Sequence, residues 1–426
     1  MNGRLLAILL GAALFFVASN RSSDIPAAGA GPPPLRVPDP NHLNVRDFGA
    51  VCDGTIDDTA ALKRAFDAHN YHVELPAGAT CAFKSAPLVI NRPYGSITGA
   101  GMWGASRLLY IGTNADTDLL QVGSGGTIPS GLSSTGYSSL SGFAVESAIK
   151  MTGGYAIHEA GTQFITYDNI ALGRQQDPVN LWGGFYFDQT DWTRLSTFFV
   201  AAQDACIAVS GHGAEGHPAT GPQYDLWVDG GRVQGCHIGV HAGGGFDGAF
   251  FDHMMVTGVD YDAVVDNALS PHPNQEILFG PQFFADFARF DNFLIDDPLC
   301  QQRVLCSTTI AGPMLHAGAE GVTGVTSGSH HGAAPPPLSG DGIHVKVYPG
   351  GYVHVQSPYI QGSRNAGIMV EDQRAYLFTG SGTNINRSPY GITATAPFTH
   401  LAGMPSFVSI SRNVTANILK GTSDAP

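Results

Sequence analysis

The sequence predicts an all-β protein of many short strands joined by tight turns, and its composition carries that prediction. Glycine accounts for 55 of the 426 residues, about 13%, against roughly 7% in an average protein. Charged residues make up 13% of the chain, about half the usual share. The hydrophobic fraction of 43% is sufficient for a large core and excludes a disordered chain. Helical bundles and coiled coils are poor in glycine, so they are excluded as well.

The charge balance restricts the classes of partner. The chain has 21 Lys and Arg against 35 Asp and Glu, which gives a formal net charge of −14. Binding to nucleic acid or to an anionic membrane relies on positive charge. We therefore expect no nucleic-acid partner, and no membrane contact beyond the N-terminal segment.

The first 40 residues differ in composition from the rest. Residues 5–18 are an almost unbroken apolar run, too short to span a bilayer and typical of a signal peptide, which we place at residues 1–19. An uncleaved anchor is the alternative, and both imply an exported protein, secreted or periplasmic. Residues 20–40 read as a Pro- and Gly-rich linker, 41–412 as one domain and 413–426 as a tail.

Six cysteines fit an exported protein. Their positions predict three neighbouring pairs, Cys52–Cys81, Cys300–Cys306 and Cys206–Cys236. The last two residues lie in similar stretches, so they are either bonded or simply buried on stacked turns. No Cys-x-x-Cys occurs, which argues against structural zinc, and we expect neither a metal nor a cofactor.

The stretch 44–78 determines the expected architecture. Alternation around Val45 and Phe48 predicts a short strand, and Asp57 or Asp58 can cap the helix that follows. The apolar face of that helix is formed by Leu62, Ala65, Phe66 and His69. Residues 73–78 then predict a strand that ends in a turn.

This stretch closely resembles the N-terminal signature of the pectate-lyase-like superfamily. That group includes polygalacturonases, rhamnogalacturonases, mannuronan epimerases and phage tailspike depolymerases. The resemblance implies an all-β, single-stranded right-handed parallel β-helix (a solenoid) whose N-terminal end is covered by the short helix.

Repeated segments in the body fit such a solenoid. Four similar segments place Asp168, Asp191, Asp229 and Asp252 at steps of 23, 38 and 23 residues. The long step contains residues 211–222, which read as an inserted loop. Later coils are expected within 276–297 and 343–395, with a protruding loop at 317–340.

The aspartate row is the first candidate site. Equivalent residues on stacked coils lie about 4.8 Å apart, close enough for paired carboxyl groups to cleave a glycosidic bond. We take Asp191, Asp229 and Asp252 as catalytic candidates, supported by His253 and Arg232. The alternative is that these aspartates only satisfy backbone donors in turns.

The segment 203–211 is the second candidate, because it looks like the Gln-Asp-Asp-Cys-Val-Ala-Ile segment of polygalacturonases. On that match Asp204 takes the place of the proton donor, but Ala205 replaces the second carboxylate. His212 follows at once, where the family has its Gly-His-Gly motif a coil downstream. The Asn-Thr-Asp and Arg-Ile-Lys motifs of that family are absent, so a true polygalacturonase is not expected.

Further side chains near these segments could bind a sugar or a metal. His237 and His241, four residues apart on an expected strand, would face one side and could hold a metal, although packing or surface roles are commoner. Flat aromatic rings stack on sugars through apolar faces. The expected substrate-binding residues are Trp192, Trp227, Tyr224, His212 and His237.

A Gly-x-Gly-x-x-Gly match at residues 99–104 resembles a dinucleotide-binding loop. Such a site needs a helix directly after the loop, whereas residues 107–111 read as a strand. We therefore interpret the glycines as a turn between coils.

The function expected from these features is a secreted glycoside hydrolase that degrades a polysaccharide. A polysaccharide lyase or uronate epimerase is the alternative enzyme, and a glycan-binding surface protein is the alternative without catalysis. A homotrimer, common in tailspike relatives, is left open.

Overall fold

The computed structural model describes residues 42–68, 72–91, 93–123, 136–174, 180–211, 225–300, 306–312, 314–317, 340–363, 365–380, 384–386, 390–394, 401–402 and 409–411. All of them lie in one compact unit, Asp39–Pro426. No helix in these ranges is long and apolar enough to cross a membrane.

Short strands and very little helix make up the described chain. The 3-10 helix is Val45–Phe48 and the α-helix, α1, is Thr59–Phe66. The strands are β1 (His42–Asn44), β2 (Asp53–Asp57), β3 (His72–Glu74), β4 (Ala79–Phe83), β5 (Leu88–Ile90), β6 (Ser96–Thr98), β7 (Ser106–Tyr110), β8 (Leu120–Val122), β9 (Ser139–Ser147), β10 (Tyr155–Ala160), β11 (Thr166–Leu172), β12 (Gly183–Asp188), β13 (Thr193–Ala201), β14 (Ala205–Ser210), β15 (Leu226–Gln234), β16 (Ile238–Ala242), β17 (Ala249–Thr257), β18 (Tyr261–Asp266), β19 (Glu276–Phe279), β20 (Phe283–Ala288), β21 (Phe293–Asp296), β22 (Ser307–Ala311), β23 (Met314–Ala317), β24 (Ile343–Val347), β25 (Tyr352–Gln356), β26 (Tyr359–Gln361), β27 (Ala366–Val370), β28 (Tyr376–Thr379), β29 (Asn384–Asn386), β30 (Tyr390–Ala394), β31 (Leu401–Ala402) and β32 (Ser409–Ser411).

Each strand pairs in parallel with the equivalent strand of the next coil, which builds a solenoid with three faces. The third face is the separate ladder β5-β8-β10-β12-β14-β16-β18-β21-β24-β27-β30. The first face contains β1, β3, β6, β19, β22, β25, β28 and β31, and the second contains β2, β4, β7, β20, β23, β26, β29 and β32. In the middle coils one long strand covers both of these faces, namely β9, β11, β13, β15 and β17. The expected parallel β-helix is confirmed.

Stacked apolar side chains fill the inside of the solenoid. Phe185 and Phe187 on β12 are fully buried and meet Tyr167 from β11 edge-on, at centroid distances of 5.7 and 6.0 Å. Because each coil cannot bury its inner side chains alone, this packing makes the stability of neighbouring coils interdependent.

The N-terminal end agrees with the expected cap, with one correction. Helix α1 buries Leu62, Ala65 and Phe66 as its spacing predicts, while His69 lies outside the described residues. Val45–Phe48 is a 3-10 helix and not a strand. Its Asn44 cap explains the difference, because the side chain accepts a hydrogen bond from the backbone N–H of Arg46 and so favours a helical start.

All three cysteine pairs form disulfides. Cys52–Cys81 joins the segment before β2 to β4 of the next coil, and Cys206–Cys236 joins β14 to the turn before β16. These covalent links between coils restrict the unfolded chain.

The register of the long strands corrects the aspartate row. Asp168 pairs with Ser196, Ser196 with Asp229, and Asp229 with Asp252. Asp191 is therefore not a member of the row. The coil after Asp168 is 28 residues long, whereas the similar segments of the sequence predicted a step of 23. Asp191 lies at the corner before β13, in an isolated bridge with Gln163.

A bend in left-handed backbone conformation directly follows each residue of the corrected row, and also follows Ser141, which pairs with Asp168 one coil earlier. The bend residues and their φ angles are Gly142 (72°), Asn169 (55°), Thr197 (49°), Gly230 (82°) and His253 (49°). This conformation costs free energy for residues other than glycine. The bend separates the first face from the second. It also gives the His253 side chain a different direction from those of the strand residues on either side.

Candidate functional site

A recess on the first face, which we call the first-face recess, brings together carboxyl groups, an imidazole and aromatic rings. Its volume is about 600 Å³. It is lined by Trp192, Arg194, Trp227, Val228, Asp229, Phe250, Phe251, Asp252, His253, Leu278, Gly280 and Pro281. Strands β13, β15 and β17 supply most of these side chains from three consecutive coils. An open groove along stacked coils suits an extended ligand.

Two carboxyl groups and an imidazole meet in this recess. His253 Nδ1 lies 3.0 Å from Asp229 Oδ1 and 3.5 Å from Asp252 Oδ2. The two carboxylate oxygens are therefore no farther apart than the sum of these distances. That limit is at the short end of the roughly 6.5–9.5 Å used by inverting glycosidases and allows the about 5–5.5 Å of retaining ones. His253 is half-exposed, so a ligand can reach it.

Arg194 is a member of the site that the sequence reading missed. It lies on β13 directly beside Trp227 in the register, and its Nη2 is 3.4 Å from Asp229 Oδ2. The sequence could have identified Arg194 only by its position one coil before Trp227, and that position cannot be recognised until the length of the coil is known. An exposed guanidinium next to a carboxylate can also bind an anionic group of a substrate.

The backbone holds Asp252 in place. Its Oδ1 accepts hydrogen bonds from the backbone N–H of His253 at 2.9 Å and of Gln282 at 2.8 Å. The absence of a side chain at Gly280 makes room for the carboxyl group, since a Cβ there would lie 2.4 Å from Asp252 Cγ. Asp252 thus presents Oδ2 toward His253 from a fixed position.

We expect Gly280→Ala to reduce catalytic activity about 10-fold or more, because the added methyl group displaces the Asp252 carboxyl group and small misplacements are costly. Gly380→Ala is the matched control, since its Cβ would meet only ordinary contacts at 3.5 Å. The measurement is kcat/KM, with thermal unfolding as a check of folding. Equal activity of the two variants would contradict a role for the Asp252 position.

A ladder of aromatic rings runs along the corner of the first face toward the recess. The rings are Tyr94, Tyr137, Phe164, Trp192, Trp227 and Phe250, with successive centroids 4.6–6.1 Å apart. The first four have left-handed backbone, with φ between 54° and 60°. Most neighbours are stacked, but Trp192 and Trp227 are tilted by 48° where they enter the recess. Trp192 remains 44% exposed, so it offers apolar ring surface to a sugar.

Asp191 directly precedes Trp192 of this ladder and does not line the recess. Its side chain is buried and Oδ2 accepts a hydrogen bond from Gln163 Nε2 at 3.1 Å. Burial, and then the nearby Asp225 carboxylate, raise the pKa of Asp191 to about 7. A buried acid at this position supports the corner of the coil and cannot contact a ligand in the recess.

The remaining described candidates lie outside the first-face recess, and Asp204, His237 and His241 are on neighbouring coils of the third face. Asp204 directly precedes β14 on the third face, and Arg232 lies on the second face beyond the bend at Gly230. His237 Nδ1 is 2.8 Å from Asp260, and His241 Nε2 is 2.8 Å from Asp266. The two histidines are thus held by separate carboxylates. Tyr224 and His212 lie outside the described residues.

Two other clusters contain the residue types that bind metals. In the first, Cys52, Asp58 and Cys81 are close together, but the cysteines are joined in a disulfide. In the second, Asp291 accepts hydrogen bonds from the backbone N–H groups of Gly340 and Asp341 and contacts His344 Nδ1 at 3.0 Å. These contacts join neighbouring coils of the third face.

No protein-family model and no curated protein matches the sequence. Solved structures do match its fold. The A-module of Azotobacter vinelandii mannuronan C-5 epimerase AlgE4 is 14% identical, with a TM-score of 0.52, over 90% of this chain and 100% of that chain. A Yersinia enterocolitica family 28 exopolygalacturonase is 12% identical, also with a TM-score of 0.52, over 88% of this chain and 79% of that chain.

These similarities agree with the parallel ladders of strands. At such low identity they concern the fold alone. In its fold the chain is therefore a right-handed parallel β-helix protein.

Proposed function

We propose that the protein is an exported glycoside hydrolase that cleaves a polysaccharide in the first-face recess. The observation that carries this proposal is the convergence of Asp229 and Asp252 on His253 Nδ1. Paired carboxyl groups at this spacing supply the acid and the base that glycosidic cleavage needs. The apolar N-terminal run and the three disulfides support export.

In this mechanism one carboxyl group donates a proton to the glycosidic oxygen while the bond from that oxygen to the anomeric carbon breaks. The other removes a proton from the attacking water, or attacks the anomeric carbon itself to form an ester, which water then hydrolyses with the first carboxylate as the base. His253 contacts both carboxyl groups and can relay a proton between them after each cycle. The products are two shorter sugar chains, one of them with a new reducing end.

A polysaccharide lyase or uronate epimerase is the second candidate, and Arg194 is the observation that favours it. A guanidinium can pair with a substrate carboxylate and so stabilise the charge that develops when the adjacent sugar proton is removed. His253 would then remove that proton. Arg194 already pairs with Asp229 at 3.4 Å, so a substrate carboxylate would have to compete with Asp229 for the guanidinium. For this reason we place this candidate second.

The products distinguish the two reactions. We expect the purified protein, incubated with a panel of neutral and uronic-acid polysaccharides, to generate reducing ends without unsaturated products that absorb ultraviolet light. Absorbing products would identify a lyase, and exchange of the C5 proton without cleavage would identify an epimerase. Saturable binding with no product on the whole panel would contradict an enzymatic role.

A further inference from the structure

A second recess lies across the bend, on the second face, and we call it the second-face recess. Its volume is about 490 Å³. It is lined by Met102, Trp103, Thr197, Phe198, Phe199, Gly230, Gly231 and Arg232. Arg232 is three residues after Asp229 on the same strand, so both recesses open onto adjacent parts of β15. The proposed cleavage does not use these side chains.

The glycine-rich stretch 99–104 builds one wall of this recess. Gly99 donates a backbone hydrogen bond to Ser141 O at 2.8 Å, and Gly101 donates one to Gly142 O at 2.7 Å. A Cβ on Gly99 would lie 2.3 Å from Gly142 O, so only glycine allows this close approach. The motif that resembles a dinucleotide loop thus fastens a short loop onto the outer surface of the solenoid, with Met102 and Trp103 at its tip.

Trp103 is held on one side and open on the other. Its ring centroid is 5.2 Å from that of Phe199, which is 1% exposed and packs in an outer apolar cluster with Met102. Trp103 itself is 63% exposed. A large apolar ring held in this way has few conformations to lose on binding, which favours it as a contact surface.

The floor and the charge of the recess complement this ring. Gly230 leaves the backbone bare, because an added Cβ would have its nearest neighbour, His253 O, 4.0 Å away. Arg232 is exposed and is the sole charged residue among the described residues that line the recess. It forms no ion pair with another described residue.

We infer that the second-face recess binds one acidic sugar unit of a polysaccharide, apart from the cleavage site. The apolar face of the sugar ring stacks on Trp103, and the sugar carboxylate accepts two parallel hydrogen bonds from the Arg232 guanidinium. The absence of side chains at Gly230 and Gly231 lets the sugar approach the backbone. A single arginine suits a polysaccharide that is neutral except for one acidic unit. A polyanionic polysaccharide would be repelled by the acidic surface of the protein.

Calorimetric titration of the full chain tests this site. The Asp252→Asn variant serves as background so that the ligands are not consumed. The ligands are oligosaccharides with one galacturonic or one glucuronic acid unit, each paired with its carboxyl-reduced counterpart. We expect one acidic ligand to saturate the protein, and Arg232→Met or Trp103→Ala to weaken its Kd about 10-fold or more. Reducing the carboxyl group of the ligand should weaken its Kd to the same extent. With the reduced ligand, Arg232→Met should cause no further change in Kd.

Matched controls are Arg46→Met and Tyr94→Ala, which remove another exposed arginine and another exposed aromatic ring, neither of which lines the second-face recess. Both should leave the Kd of the acidic ligand unchanged. Three results would overturn the inference: no saturable binding of either acidic ligand, equal affinity for the carboxyl-reduced forms, or a dimer in sedimentation that only Trp103→Ala dissociates. Cleavage of a neutral polysaccharide is measured separately, so failure of this site and failure of the proposed hydrolase are distinguishable.

Discussion

Replacing Asp252 with asparagine is expected to lower kcat/KM for polysaccharide cleavage by about 10²- to 10⁴-fold, and Asp229→Asn should do the same. Asparagine keeps the size of the side chain and one acceptor oxygen, but it can neither donate nor take up a proton in the reaction. The loss should appear in kcat, because the geometry of the recess that binds the sugar stays intact.

The matched control for this experiment is Asp168→Asn. Asp168 lies in the same row two coils earlier and accepts a hydrogen bond from Ser196 Oγ at 2.9 Å, but it does not line the first-face recess. Its variant should retain full activity. The double variant of Asp229 and Asp252 should lose little more than either single one, because groups that act as a unit are not additive. Full activity in both single variants would show that the row is structural.

Replacing Glu159 with glutamine is expected to abolish a loss of about 3 kcal/mol in unfolding free energy that the unmodified protein undergoes between pH 4.5 and pH 8. Glu159 is completely buried inside the solenoid, where Oε1 accepts hydrogen bonds from Thr162 and from Thr193 at 2.6 Å. Burial raises the pKa of Glu159 to about 7 from its usual value of 4.5. Glutamine keeps the acceptor oxygen and the volume but has no charge to bury.

The sign of the pH dependence follows from these two pKa values. Between pH 4.5 and 7 the native state holds the Glu159 proton, whereas the unfolded chain has released it. The contribution of Glu159 is therefore most favourable at acidic pH and is lost as the pH rises through about 7. In this pH range the unfolding free energy falls as the pH rises, by the equivalent of one proton. Glu159→Gln should remove that part of the slope.

Denaturant unfolding at several pH values measures this effect. Glu74→Gln, which changes an exposed glutamate on β3, is the control and should leave the slope unchanged. Some decrease of unfolding free energy with pH should remain in Glu159→Gln, because burial also raises the pKa of Asp341 to about 7 and that of Asp297 to about 6. An unchanged slope in Glu159→Gln would contradict a protonated native Glu159.

The fold was largely predictable because repeated local patterns determine it. High glycine content, the short helix after Asp58 and the resemblance of residues 44–78 all concern neighbours in sequence. The 23-residue step from Asp229 to Asp252 also proved to be one coil, because that coil contains no insertion. Where local chemistry competes, as in the Asn44 cap at Val45–Phe48, the strand expectation was wrong.

The membership of the site was less predictable, because it depends on the length of each coil. Insertions at the corners change that length without changing the strand pattern, and for this reason Ser196 and not Asp191 pairs with Asp168. The same uncertainty concealed Arg194, whose neighbour in space is 33 residues away at Trp227.

By itself, the sequence determined a solenoid of parallel strands with an N-terminal cap and with Asp229, Asp252 and His253 close together. Only the tertiary structure decided that Arg194 joins them, that Asp191 is buried at a corner, and that Arg232 lies beyond the bend with Trp103. The physical reason is that hydrogen bonds between coils set the register of side chains far apart in the chain, while a left-handed bend at Gly230 or His253 decides which face they occupy.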